Sequence, residues 1–105
     1  MIATSVLQEA SRRLEERFHP DRIILFGSHA RGMADDHSDV GLLVVCSFEG
    51  RRRKVMVEMD RTLRGLNFAR DIVVLTPEDF ERDRHIPGTL ARPVCQEGEV
   101  LYERQ

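Results

Sequence analysis

The residues best suited to chemistry lie in one stretch, FGSHARGMADDHSDVGLLVV, which runs from Phe26 to Val45. Gly27 and Ser28 come directly after a short apolar run typical of a strand, and a short helical segment is predicted after them. Such a junction points backbone N–H groups at an anion, and the helix dipole adds to the attraction. Gly27 allows close backbone approach, Ser28 adds a hydroxyl donor, and Arg31 can reach a phosphate oxygen or an acidic neighbour. Taken alone, Gly27-Ser28 after a strand is more often a simple turn with a capping serine. The interpretation as a phosphate site therefore depends on the residues further along the stretch.

Helices and short strands alternate around this stretch, and they must position it. The first helix is predicted from Thr4 or Ser5 to Phe18 and ends at His19, because a residue before proline is pushed out of the helical region. Further helices are predicted at 51–66, from Thr76 onward and at 90–96, and strands at 23–26, 42–46, 71–75 and 100–102. With the short segment after Ser28, the order is α-β-α-β-α-β-α-α-β. This order predicts an α/β domain in which helices cover a small sheet.

Composition and charge narrow the class of protein. The chain has 105 residues, of which 41% are apolar and 32% charged, and its formal net charge is −2. These values predict one globular domain and no strong field that would draw it to nucleic acid or to a membrane. No secretory pattern or membrane-length apolar run is recognisable, so we expect a cytoplasmic protein with Cys46 and Cys95 as buried free thiols.

A longer motif carries a family resemblance. Gly-Ser-x-Ala-Arg-Gly, then Ser-Asp, then Leu-Leu-Val-Val resembles the minimal nucleotidyltransferases, the small stand-alone members of the DNA polymerase beta-like superfamily. The likeness continues through DIVVLTPE at 71–78 and through the tail from Ile86 to Glu103, so it covers nearly the whole chain. It implies the small nucleotidyltransferase fold, with a short mixed sheet flanked by helices, in a single domain spanning residues 1–105.

The resemblance also implies roles for particular residues. Gly27 and Ser28 would hold the triphosphate of ATP or another nucleoside triphosphate, with Arg31 supporting the loop. Two aspartates on the second strand and one on the third would bind Mg²⁺. Asp39 and Asp71 fill the first and third of these positions, as metal ligands and catalytic residues. In nucleotidyl transfer an acceptor attacks the α-phosphorus in line, and two metal ions clamp the attacking and leaving oxygens.

The second aspartate position is occupied by Gly41. Residues i and i+2 of a strand face the same side, so an aspartate there would share its metal ions with Asp39. Mg²⁺ often uses only one or two carboxylates, so one ion still fits between Asp39, Asp71 and a bound nucleotide. Two closely spaced dications are held less tightly by two carboxylates than by three. We therefore expect a weakened metal site and transfer activity lowered by several orders of magnitude, with nucleotide binding retained. Nothing in the sequence requires glycine at this position.

The resemblance implies two functions from different classes. In the first, the chain is an antitoxin-type component that transfers AMP from ATP to a partner, because minimal nucleotidyltransferases are often paired with HEPN-domain proteins in prokaryotic toxin–antitoxin systems. In the second, it is a catalytically degenerate module that binds nucleotide or partner and neutralises a HEPN-type toxin by contact. The acceptor, the nucleotide preference and self-association into a homo-oligomer stay open.

A basic cluster, Arg51-Arg52-Arg53-Lys54, marks the start of the second long helix. It is interpreted either as a solvated face or as a site for an acidic partner or a nucleic-acid backbone. Nucleic acid is disfavoured, because the net charge is negative and no aromatic residue interleaves with the cluster. No membrane partner is expected.

Overall fold

The computed structural model describes residues 4–27 and 40–104, which build a four-stranded sheet with helices on both faces. The helices are α1 (Thr4–Phe18), α2 (Arg52–Thr62), α3 (Pro77–Asp83) and α4 (Ala91–Glu97). The strands are β1 (Arg22–Phe26), β2 (Val40–Val45), β3 (Arg70–Leu75) and β4 (Glu99–Glu103). All eight agree with the predicted elements to within a few residues. The short helical segment predicted after Ser28 lies outside the described residues.

The sheet is mixed, as the resemblance implied. Its strand order is β3-β2-β1-β4; β1 runs antiparallel to both β2 and β4, and β2 runs parallel to β3. Parallel neighbours need a crossover connection, and α2 supplies it between β2 and β3. Strand β2 therefore lies inside the sheet, and all six of its residues are buried.

Two apolar cores lie on opposite faces of the sheet, because neighbouring strand residues point to opposite sides. The larger core packs the sheet against α1 and α2. Its buried members are Ala10, Leu14, Ile23, Leu25, Val40, Leu42, Val44, Cys46, Met59, Leu63, Ile72 and Val74. The smaller core lies under α3 and α4. Its buried members are Ile24, Leu43, Val45, Phe80, Ala91 and Val94. No helix in the described part of the chain has the length and apolar content that a membrane span requires.

Helix ends are determined by local chemistry. Helix α1 stops at His19, whose φ of 50° leaves the helical region just before the proline. Helix α3 begins as predicted: the Thr76 hydroxyl accepts a hydrogen bond from the Asp79 backbone N–H at 3.1 Å, and Pro77 occupies the first helical position. These two ends fix the chain direction where it enters β1 and where it leaves β3.

The cysteine prediction is confirmed for one residue and needs correction for the other. Both thiols are free; Cys46 is buried, whereas Cys95 is only half-buried. Cys95 lies on the two-turn helix α4, which covers the sheet incompletely. Burial, with a smaller contribution from Asp21, raises the pKa of the Cys46 thiol, which keeps this thiol protonated and unreactive at neutral pH.

Helix α2 begins without a cap, and this predicts a stabilising substitution. Arg51 occupies the N-cap position with no side-chain hydrogen bond, and the first turn contains no acidic residue. Arg51→Ser adds an acceptor for a free N–H and removes a cation from the positive end of the helix dipole. We expect a gain of about 1 kcal/mol, seen as a rise in Tm of about 4 °C by circular dichroism. Arg53→Ser removes the same charge without adding a cap, so an equal gain in that variant would contradict the capping explanation.

Candidate functional site

Three residues lie side by side across the sheet at the end nearest the predicted phosphate loop. Phe26 of β1 is the register partner of Gly41 of β2, and Gly41 is the register partner of Asp71 of β3. Register partners share one face of a sheet, here the face that carries α3 and α4. Asp71 is exposed and Gly41 is buried. This row, Phe26–Gly41–Asp71, places the predicted third carboxylate directly beside the glycine that stands in for the second.

The ring of Phe26 fills the space that a side chain at position 41 would need. A Cβ built on Gly41 would lie 2.7 Å from Cε2 of Phe26, and 2.8 Å from both Cδ2 and Cζ. Carbon atoms in ordinary contact are about 3.5–4.0 Å apart. An aromatic ring covering a glycine across two strands is a known packing device in sheets. No requirement for glycine here was predicted from the sequence; in the structure, the Phe26 ring takes up the space beside it.

The described residues do not form a three-carboxylate metal centre. Within residues 4–27 and 40–104, no three His, Cys, Asp or Glu side chains group as metal ligands. Asp71 contributes one carboxylate to the row, while the space at Gly41 is taken by an apolar ring. Asp39 lies outside the described residues, so its pairing with Asp71 as a metal ligand stays a prediction. Among the described residues, Asp71 is therefore the one carboxylate that this row of the sheet supplies.

The predicted phosphate loop starts at Gly27, immediately after β1. Gly27 has φ of 87°, in the left-handed region that glycine adopts without steric cost, and no atom of residues 4–27 or 40–104 lies within 4 Å of an added Cβ. A sharp turn with open space beside it is what close approach by a ligand requires. Ser28 and Arg31 lie outside the described part of the chain, so their nucleotide-binding roles stay predictions.

A small pocket adjoins the start of this loop. Its volume is about 180 Å³, below the roughly 300–1,000 Å³ of pockets that enclose a whole ligand, so it can take only part of one. It is lined by Phe26, Gly27, Leu90, Pro93, Val94, Glu97 and Gly98. Phe26 therefore covers Gly41 and also forms a wall beside Gly27. Sequence reasoning had placed Phe26 only as the last residue of a strand. An aromatic residue next to a loop glycine was the available signal, but its role depends on the strand register.

The comparison with protein families shows the class of protein to which this fold belongs. Residues 8–105 match the family described as "Polymerase beta, Nucleotidyltransferase", so the chain belongs to this family. Members of the family use a nucleoside triphosphate and a divalent metal ion.

Two similar proteins bear on the comparison. One is described as "Putative protein adenylyltransferase MJ1305" from Methanocaldococcus jannaschii, with 41% identity over 54 residues. The match covers 50% of this chain and 37% of that protein, so the chain spans little more than a third of that relative's length. The other is a crystal structure titled as a "putative nucleotidyltransferase" from Sulfolobus solfataricus. The two structures superpose with a TM-score of 0.67 and 23% sequence identity. The match covers 95% of this chain and 79% of the Sulfolobus solfataricus chain. That likeness confirms the predicted fold.

Proposed function

We propose that this chain is an antitoxin-type protein that binds a HEPN-domain toxin and neutralises it by contact, while keeping a loop for a nucleoside triphosphate. Gly27, Ser28 and Arg31 would hold the phosphates. The HEPN-type partner is expected from the sequence resemblance to minimal nucleotidyltransferases, and the cytoplasm is the expected location.

One observation carries the proposal that binding, not turnover, is the main activity. The ring of Phe26 lies where the Cβ of an aspartate at position 41 would have to stand. A side chain at position 41 would therefore have to displace the Phe26 ring, which is only partly buried. Catalysis of nucleotidyl transfer depends mainly on positioning and on neutralising the charge of the phosphates. The Phe26–Gly41–Asp71 row offers one carboxylate for that task.

A second candidate is transfer of AMP from ATP to the partner. A hydroxyl of the partner would attack the α-phosphorus, the bond to the β-phosphate oxygen would break, and pyrophosphate would leave. The description of the Methanocaldococcus jannaschii relative as an adenylyltransferase acting on protein favours this candidate. The exposed carboxylate of Asp71 also favours it, as a catalytic residue together with Asp39.

A single experiment separates the two candidates. The purified chain is incubated with a HEPN-domain protein as the candidate partner, Mg²⁺ and ATP labelled at the α-phosphate, and both the label on the partner and the partner's toxin activity are measured. We expect inhibition at about one chain per partner, without ATP and with little label. Asp71→Asn should inhibit equally well. Glu49→Gln, at an exposed carboxylate outside the row, serves as the matched control.

The opposite result would establish the transferase. If inhibition requires ATP, and if label and inhibition are both lost in Asp71→Asn but kept in Glu49→Gln, contact is not the mechanism. If the chain neither inhibits nor labels this partner, both candidates are wrong. Calorimetric titration with ATP and Mg²⁺ tests the loop separately, and we expect binding to survive Asp71→Asn.

A further inference from the structure

The outer side of helix α2 carries a basic face of four residues: Arg53, Lys54, Val57 and Arg61. Arg53 and Lys54 precede Val57 by four and three positions, and Arg61 follows it by four, so the four residues lie on one side of the helix; all four are exposed. Val57 stands among the cations with 45% of its surface exposed. Together with Arg51 and Glu58, these residues line one shallow groove of about 400 Å³. The α2 basic face is thus a continuous surface with an apolar centre.

The cations of this face have no counter-ion within the described part of the chain. Most other arginines do: Arg52 contacts Asp79 at 3.1 Å, and Arg70 contacts Asp60 at 2.7 Å. No carboxylate of the described residues lies within ion-pair distance of Arg53, Lys54 or Arg61. Arg53 and Lys54 also lie in the first turn of α2, where positive charge opposes the helix dipole. The positive charges on this face therefore repel one another and oppose the helix dipole in the isolated chain. Carboxylates of an acidic partner would offset that repulsion.

This face lies on the opposite side of the sheet from the Phe26–Gly41–Asp71 row. Helix α2 packs through Met59 onto the core that contains Ile72, whereas Phe26 packs with the other core. A partner bound to α2 would therefore lie on the face of the sheet opposite the Phe26–Gly41–Asp71 row.

We propose that the α2 basic face docks an acidic protein surface, in which carboxylates flank an apolar side chain that packs against Val57. Charge complementarity selects carboxylates, and the exposed valine selects a protein over a uniformly charged polymer. Nucleic acid fits less well, because the chain is acidic overall, Glu58 lines the groove and no aromatic residue lines it. The inference rests on the proposed function only in taking the partner to be a protein, and its test needs neither nucleotide nor toxin.

The test uses NMR titration of the ¹⁵N-labelled chain. The probe is a synthetic helical peptide of about 15 residues, with glutamates one turn on either side of a central leucine. We expect amide shifts at Arg53, Val57 and Arg61 and none at Gly27 or Asp71. Shifts centred elsewhere, or no shifts at about 1 mM peptide, would overturn the proposal.

Matched variants decide whether the surface or only net charge is recognised. Arg53→Gln with Arg61→Gln should raise Kd about tenfold, while Arg12→Gln with Arg17→Gln, which removes the same charge from exposed sites on α1, should raise it less than about twofold. Val57→Asn, which keeps the charge, should weaken binding several-fold. Equal weakening in both double variants would refute a specific face. Tighter binding of a single-stranded RNA of equal charge, lost in the α2 double variant, would assign the face to nucleic acid instead.

Discussion

Gly41→Ala is expected to destabilise the protein by about 1–3 kcal/mol, although alanine is normally the better residue in a strand. The added Cβ meets the ring of Phe26 at 2.7–2.8 Å, so the ring or the two strands must shift. Gly41→Asp should destabilise more, because it adds a carboxylate at a buried position beside an aromatic ring. Urea unfolding followed by circular dichroism measures both changes.

The same substitution in a Phe26→Ala background identifies the cause. Phe26→Ala is itself destabilising, since it removes packing against the smaller core. With the ring gone, Gly41→Ala should become neutral or stabilising by about 0.5–1 kcal/mol, because glycine is the weaker strand residue. The two positions would then show a coupling energy of a few kcal/mol. The same cost in both backgrounds would mean that the ring does not restrict position 41.

The contact between Phe26 and position 41 also predicts how transfer activity responds when an aspartate is put back at position 41. Gly41→Asp alone should not restore AMP transfer to the partner, because the new side chain competes with the ring for one space. Gly41→Asp combined with Phe26→Ala should label the partner more than either single variant. Strong labelling by the single Gly41→Asp variant would show that the ring yields readily and that the missing carboxylate is the whole defect.

Phe80→Ala is the second substitution with a large expected effect. Phe80 is 1% exposed in the smaller core, and the guanidinium carbons of Arg22 and Arg84 lie 5.6 and 5.3 Å from its ring centre. Removing a buried phenyl ring typically lowers the free energy of unfolding by about 3–5 kcal/mol, a large share of the stability of a domain this size. We expect Tm to fall by more than about 10 °C.

Milder substitutions at Phe80 and Arg84 test whether lost packing causes the destabilisation by Phe80→Ala. Phe80→Leu keeps most of the volume and should be destabilising by less than about 1.5 kcal/mol. Arg84→Gln removes one cation over the ring and should change stability by about 0.5–1 kcal/mol. Hydrogen exchange should speed up in α3 and α4 of Phe80→Ala, while α1 and α2 keep their protection. Uniform loss of protection would mean that the two cores unfold as one unit.

The secondary structure could be predicted because its signals are local. The apolar run at 23–26, the proline after His19 and the cap at Thr76 act within a few residues of chain, and each helix or strand formed where they indicated. Exposed Asp71 at the start of β3 and the turn at Gly27 were also predictable from short patterns. The order and the directions of the strands in the sheet could not be predicted, because an apolar run does not indicate which strand it pairs with or in which direction.

The most informative contact at the site depends on register and could not be predicted. Phe26 and Gly41 are separated along the chain by the segment that includes 28–39, and they meet only because β1 and β2 pair antiparallel with these two residues opposite each other. A slip of one residue would turn every side chain of a strand to the other face. From the sequence alone, a bulge or a close backbone approach at Gly41 could be named but nothing required either, so Gly41 was interpreted as a missing ligand. In the structure it is half of a packing pair.

The packing of Phe26 over Gly41 also constrains the evolutionary history of the protein. A lineage that carries both residues returns to an aspartate at position 41 through one of two intermediates. If the aspartate appears first, the sheet is overpacked; if the ring is lost first, a void opens beside the smaller core. We expect both intermediates to be less stable than the present chain, in which case selection for folding alone would work against reversal. In a chain that is not selected for transfer activity, the ring would therefore tend to preserve the glycine.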